Sequence, residues 1–387
     1  MKIFLISFTF ILINSIQLSA QINTKLAPGI DENNEEFMEI FELWKSYLAD
    51  DPDKIYDSPY WNASEKNHYK SYDLLKTQGF LTPSLYGLNT ENVVLYFKKE
   101  KDYYIINSMF YWLTNNQMTP LAITKVVAKK DTLGTFKLYN WLPIYTESWI
   151  SKKVGIITYK YPKSYKLNIT EARQANNFVN KLSEIFDLNV DEISYYLFKD
   201  CDTLFNSTGF EFIISLGAIP NKCAFFDKIN NIVYTIEDSG ANHKHELIHL
   251  INSKFPEAHY LLLSGLSVYT KSQNSSLGKP FLYHIKKINE RIKKNSNLNL
   301  TDFNSIKSND SVTEPIYFIG AIMCDLILQQ GGIELLKEAL KAGNKDEQLF
   351  QFFETCLNLS EKELNDALKK RFSEISEANK MDFLIEY

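Results

Sequence analysis

The chain has 387 residues, 45% of them apolar and 23% charged, with a formal net charge of -5. That length predicts two domains, or one large domain with additions, and the balance is that of an ordinary soluble globular protein able to bury a sizeable core. The acidic sign and the lack of a long Lys/Arg block exclude a surface that tracks a phosphate backbone, so nucleic acid is not expected as a partner.

The first twenty residues carry a positive Lys2, an apolar run from Ile3 to Ile16, and small residues at Ser19-Ala20 before Gln21. This pattern predicts a secretory signal peptide over 1–20 and an exported protein, periplasmic or secreted. The run is short for a bilayer span, and no later stretch reads as long and apolar enough to cross a membrane. No Cys follows it, so a lipid anchor is not indicated.

Residues 21–150 read as an N-terminal α+β domain. Glu36 to Trp44 alternates at helical spacing, and Asp50-Asp51-Pro52-Asp53 opens an aromatic, polar loop through Asn62. Strands are predicted at Val93–Phe97, Tyr103–Ile106 and Leu121–Val127. Asp131-Thr132-Leu133-Gly134 then turns the chain into a returning strand, Phe136–Tyr139. The order of elements loosely resembles the NTF2-like (cystatin-like) fold.

Residues 151–387 read as a second α+β domain, a small sheet followed by helices. Strands are expected at Gly155–Tyr161, Ile193–Phe198 and Val233–Ile236, and an amphipathic helix at Thr170–Asp187 with Thr170 as its cap. Helices are expected at about 258–272, 279–295, 314–330, 332–342, 346–357 and 361–375, with Gly331-Gly332 punctuating two of them. Lys286-Lys287 and Arg291-Ile292-Lys293-Lys294 fall on one of these and read as a solvated face. The 23 Tyr and 26 Phe match no base-stacking module and read as packing. Four Cys are present, and no CxxC that would suggest a thiolate zinc site. Cys201 and Cys223 are the closer pair, and an exported chain can bridge them, though spacing alone does not require it. Cys324, in an apolar helical run, reads as a buried thiol.

The chemistry-bearing segment is His245-Glu246-Leu247-Ile248-His249. On a helix, imidazoles at i and i+4 leave one face and can grip one Zn2+, while the carboxylate at i+1 can hold and deprotonate a bound water. Leu247, Ile248, Leu250 and Ile251 supply the buried side, and Asn242 is the expected cap. With 6 His in 387 residues, a chance match at these offsets arises in about one such chain in a hundred. His243, on another face, reads as a solvent or supporting group rather than a ligand. No Gly-x-Ser-x-Gly elbow and no phosphate-binding Gly loop competes with this site.

Over about residues 154–375 the chain resembles the gluzincin metallopeptidases of the peptidase MA-like group. In that group a second helix carries Glu-Gly-Leu-Ala-x-Tyr, whose Glu is the third zinc ligand. Here the matching stretch is Ser264-Gly265-Leu266-Ser267-Val268-Tyr269, with Ser264 in place of that Glu. Tyr317-Phe318-Ile319-Gly320-Ala321 resembles the group's Tyr-x-x-Gly helix, and Gly332 to Leu340 and Leu359 to Leu364 resemble its tail. The resemblance implies a peptide or protein substrate, with His245 and His249 as metal ligands and Glu246 as general base. Because Ser is a poor neutral ligand, Glu257 or His259 is an alternative third ligand, and Glu314 lies further off. Otherwise zinc binds through two His and waters, or the chain is an inactive peptidase-like binding or scaffold protein. Tyr269 and Tyr317 are candidates to polarise a substrate carbonyl or, alternatively, to pack the core.

Overall fold

A computed structural model describes residues 22–49, 58–65, 90–190, 192–214, 223–227, 230–269, 279–303, 305–306 and 313–383. The predicted leader and residues 50–57 of the expected loop lie outside the described residues. The architecture is mixed α+β, as expected, with one sheet in each of two compact units. The first unit holds the described residues up to Asn140 and the segment Phe210–Ile214; the second holds Trp141–Gly209 and the described residues after 215. Residue 150 thus falls inside the second unit. There the helix α2 (Trp141–Tyr145) precedes β6 (Ile150–Val154), which pairs with β7 (Ile157–Tyr161).

In the first unit, β1 (Thr24–Leu26) runs parallel to β2 (Glu91–Glu100). Then β3 (Tyr103–Thr114), β4 (Gln117–Lys130) and β5 (Phe136–Tyr139) follow in antiparallel order. These strands run longer than their apolar cores predicted, because polar ends such as Lys98 and Lys99 stay in register with β3. Helix α1 (Glu35–Leu48) is capped by Asn34 and buries Ile40, Phe41, Trp44, Tyr47 and Leu48. The Trp44 indole N–H donates to Asn92 on β2 at 3.1 Å. A sixth strand, β9 (Phe210–Ile213), pairs with β4 although it comes from much later in the chain.

The second sheet has the order β10-β11-β8-β7-β6, with β10 (Phe225–Asp227), β11 (Ile232–Ile236) and β8 (Ile193–Phe198). Its three central strands, β11, β8 and β7, are parallel, and β10 is an antiparallel edge. Helix α3 (Ile169–Phe186) makes the crossover from β7 to β8 and buries an Ala/Phe/Val/Leu face. Its cap is Asn168 rather than Thr170, because the Asn168 carboxamide accepts from both Thr170 and Glu171 N–H. After α4 (Cys201–Ser207), Cys201 is bridged to Cys223.

The remaining helices are α5 (Lys244–Ile248), α6 (Ile251–Lys254), α7 (Tyr260–Tyr269), α8 (Phe281–Lys294), α9 (Pro315–Lys341), α10 (Asp346–Leu357) and α11 (Glu361–Ala378). One continuous apolar core joins them to the sheet. By length and composition α9 could cross a membrane, contrary to the reading that no later stretch is long and apolar enough. Within the unit, however, more than half of its apolar window is buried, and Gly331 and Gly332 break its helical geometry. Gly332, at φ +65° and ψ -155°, holds a conformation that Gly alone adopts readily. Helices α7 and α9 meet backbone to backbone at Gly265 and Gly320. A Cβ on Gly265 would lie 2.2 Å from the Gly320 carbonyl carbon, and one on Gly320 would lie 2.0 Å from the Leu261 oxygen.

Candidate metal centre

The segment before the motif is pinned from three sides. The Tyr195 hydroxyl of β8 donates to the Gly240 carbonyl at 2.9 Å and accepts from the His243 N–H at 3.1 Å. The Tyr159 hydroxyl of β7 donates to the Ala241 carbonyl at 2.9 Å. The Glu171 carboxylate of α3 accepts from the Ala241 N–H at 3.0 Å, and a Cβ on Gly240, at φ +70°, would crowd that carboxylate at 2.6 Å. Asn242 is not the cap. His243 occupies that position without a side-chain bond, and the Asn242 Oδ1 is buried with no partner.

The expected single motif helix is two short ones. Helix α5 closes at His249, whose N–H reaches back three residues to the Glu246 carbonyl at 3.2 Å, and Leu250 does the same to Leu247. These are 3₁₀-type bonds, and they tighten the chain between α5 and α6. The Ser253 hydroxyl donates to the Leu250 carbonyl at 2.7 Å, competing with the regular α-helical bond pattern.

The two motif imidazoles still share one side. Their ring centroids are 5.3 Å apart with the planes at 86°. Two imidazole nitrogens on one tetrahedral zinc, each at about 2.0–2.1 Å, put the ring centroids about 5 Å apart. The donor chemistry and spacing of His245 and His249 therefore fit a shared zinc. The Glu246 carboxylate stands 4.0 Å from the His245 Nε2. It is buried, which pushes its pKa up to about 8, offset in part by a hydrogen bond from the Phe226 backbone of β10. Burial likewise drives the imidazoles toward neutrality, with His243 and His249 each lowered to about 4 and His245 lowered well below its usual value. A neutral imidazole is the form that binds metal. The His243 ring lies 6.2 Å from that of His245, and the Nδ1 atoms of both are buried without a hydrogen-bond partner.

The alternative third ligands have hydrogen-bond partners of their own. Glu257 is exposed and accepts from the Asn344 carboxamide at 2.9 Å. His259 is fully buried, and both its nitrogens are engaged. Nδ1 accepts from the Leu261 N–H at 3.3 Å, so Nε2 carries the proton that faces Asp346 at 2.9 Å. Ser264 is half-buried on α7, one turn before Ser267, whose backbone is hydrogen-bonded to His245. Among the described residues, no group of three or more His, Cys, Asp or Glu side chains is arranged to hold a metal ion.

Tyr269 and Tyr317 go to different places. The Tyr269 hydroxyl donates to the fully buried Asp325 at 2.9 Å, and Asp325 is also held by Arg371 and Gln329, each at 2.7 Å. Tyr317 lies close enough to Glu246 to feel its charge. Burial, Glu314 and Glu246 together hold the Tyr317 proton on, and burial also raises Glu314.

Sequence reasoning missed Tyr159, Tyr195 and Glu171. The two Tyr are buried in strand positions, and Glu171 is a first-turn acid of α3 whose local pattern does not point to the motif. The chain matches no family model and no curated protein. The gluzincin resemblance therefore rests on the motif and its surroundings alone.

Proposed function

We propose that this is an exported zinc-dependent peptidase-type hydrolase, with His245 and His249 as the metal-holding pair and Glu246 as the proton-transfer group. The observation that carries the reading is the placement of two neutral imidazoles 5.3 Å apart beside a buried carboxyl 4.0 Å away. Zinc held there would lower the pKa of a bound water and polarise a peptide carbonyl. Glu246 is suited to take a proton at its carboxylate and return it to a leaving amine, since it is buried beside the metal-holding pair, 4.0 Å from the His245 Nε2. The Tyr317 hydroxyl, kept protonated, is the donor available to a substrate oxygen. The Cys201–Cys223 bridge fits the oxidising compartment that an exported chain reaches.

A second reading is a peptidase-like binding or scaffold protein. It is favoured by the donor set, in which Ser264 replaces a carboxylate while Glu257 and His259 are engaged elsewhere. The test is metal analysis of the purified protein after zinc is supplied, with cleavage of a labelled unfolded protein measured alongside. Near-stoichiometric zinc is expected, lost in His245→Ala and in His249→Ala. Glu246→Gln should keep the zinc while losing at least ~100-fold in rate. Wild type that holds no zinc would sink the first reading; zinc without cleavage would select the second.

A further inference from the structure

The tightened turn between α5 and α6 places a carboxamide against the second motif imidazole. Asn252 lies three residues after His249, and the structure places its Nδ2 3.3 Å from the His249 Nδ1. In a 3₁₀-type turn the side chains at i and i+3 eclipse, so the break in the motif helix is what stacks Asn252 over His249. In that orientation the Asn252 Oδ1 is buried with no partner, and turning the carboxamide over would place it on the His249 Nδ1 instead. The two ends of a carboxamide are nearly isosteric, and which end faces the ring is an assignment governed by the hydrogen-bond network.

The choice has a chemical consequence. If the NH2 end faces Nδ1, then Nδ1 accepts, the proton sits on Nε2, and Nε2 has no lone pair for a metal. If the oxygen faces Nδ1, then Nδ1–H donates to it and the Nε2 lone pair is free. Metal-bound imidazoles almost always donate their second nitrogen's proton in this way.

We infer that Asn252 is the positioning residue for His249, its Oδ1 accepting the Nδ1–H and so fixing the tautomer and ring orientation that leave Nε2 free to bind zinc. This rests on the zinc reading above. It adds that the affinity of a site short of a protein carboxylate depends on a fourth residue of the motif segment. It also gives the broken helix a role, since a change that restored a regular helix through 249–252 would move the carboxamide off the ring.

The test measures zinc affinity of the full mature chain by competition with a chromogenic chelator. The visible spectrum of the cobalt(II)-loaded protein and the thermal midpoint in excess chelator are recorded beside it. Asn252→Ala is expected to weaken zinc roughly 10- to 100-fold, with an altered cobalt spectrum and a nearly unchanged metal-free midpoint. Asn252→Asp, which can only accept, is expected to bind at least as tightly as wild type. The inference is overturned if Asn252→Ala binds zinc within about twofold of a zinc-binding wild type, or if Asn252→Asp is as weak as Asn252→Ala. Should the Ala variant fail to fold, the Asp variant alone decides by the same criterion. A wild type that binds no zinc overturns the zinc reading itself, and is told apart by appearing before any substitution is made.

Discussion

Tyr269 and Tyr317 sit on helices that follow the motif, and both carry a hydroxyl that could have served a substrate. Their neighbours separate them. Tyr269 is committed to Asp325, beside the Arg371 guanidinium and Gln329, whereas Tyr317 lies within the electrostatic reach of Glu246. Tyr269→Phe is therefore expected to cost about 1 kcal/mol in urea unfolding with no change in peptide-cleavage kcat/KM. Tyr317→Phe is expected to do the reverse, lowering kcat/KM while leaving the urea midpoint in place. At this scale the sequence was legible where spacing decides the outcome, as in the closeness of the His245 and His249 rings. It was not legible for Tyr159, Tyr195 and Glu171, because their partners are backbone groups of Gly240, Ala241 and His243. A backbone partner leaves no residue type to read, and the pairs are brought together by the sheet and by α3 rather than by nearness in the chain. His259 illustrates the converse. Its type suggested a ligand, while its place before α7 made it a helix-end acceptor held by Asp346.

Helix α7 is placed by small residues as well as by its buried apolar ones. With Gly265 against the Gly320 backbone, α7 and α9 leave no room for a Cβ at either position, and Ser264 sits next to that contact. Gly265→Ala forces a backbone shift and is expected to cost about 3 kcal/mol or more, as overpacking of a tight core does. Gly134→Ala, in an open turn at φ +80°, should cost only about 1 kcal/mol of backbone strain. Thermal midpoints of the two variants check the ordering, and equal losses would contradict it. The predicted elements appear in the expected order, but short ones such as β1, β9 and β10 were not predicted, and the other errors lie at element ends. Asn168 displaced Thr170 as a cap and Asn242 failed to cap, whereas Gly331-Gly332 breaks α9 where the sequence placed the division between two helices. Each such end is decided by a single hydrogen bond or dihedral, which periodicity does not encode. The split motif helix is of the same kind, since it depends on the Ser253 hydroxyl and on three-residue backbone bonds at His249 and Leu250.

At the scale of the whole molecule, the disulfide closes the stretch of chain that makes β9. Cys201 and Cys223 are 22 residues apart, and between them the chain supplies a strand to the other unit's sheet. Closing a loop of this length is worth about 3 kcal/mol through the unfolded state. Replacing both cysteines by Ser should then lower the melting temperature by roughly 6–12 °C, read by calorimetry on oxidised wild type and variant. The expected domain boundary could not have anticipated β9, because a four-residue strand such as Phe210–Ile213 has no local mark of the sheet it will join.

That strand also bears on how the protein is made. A ribosome delivers the chain from its N-terminus, and domains ordinarily finish folding in that order. Here the first sheet lacks its sixth strand until residue 213 has emerged. By then β6, β7 and β8 of the second sheet have already been synthesised. In the interval β4 exposes unpaired backbone groups along Ala122–Thr124, a short edge open to other strands. On the proposal that the chain is exported unfolded, β9 and the Cys201–Cys223 bridge would both form only after the whole segment has been delivered.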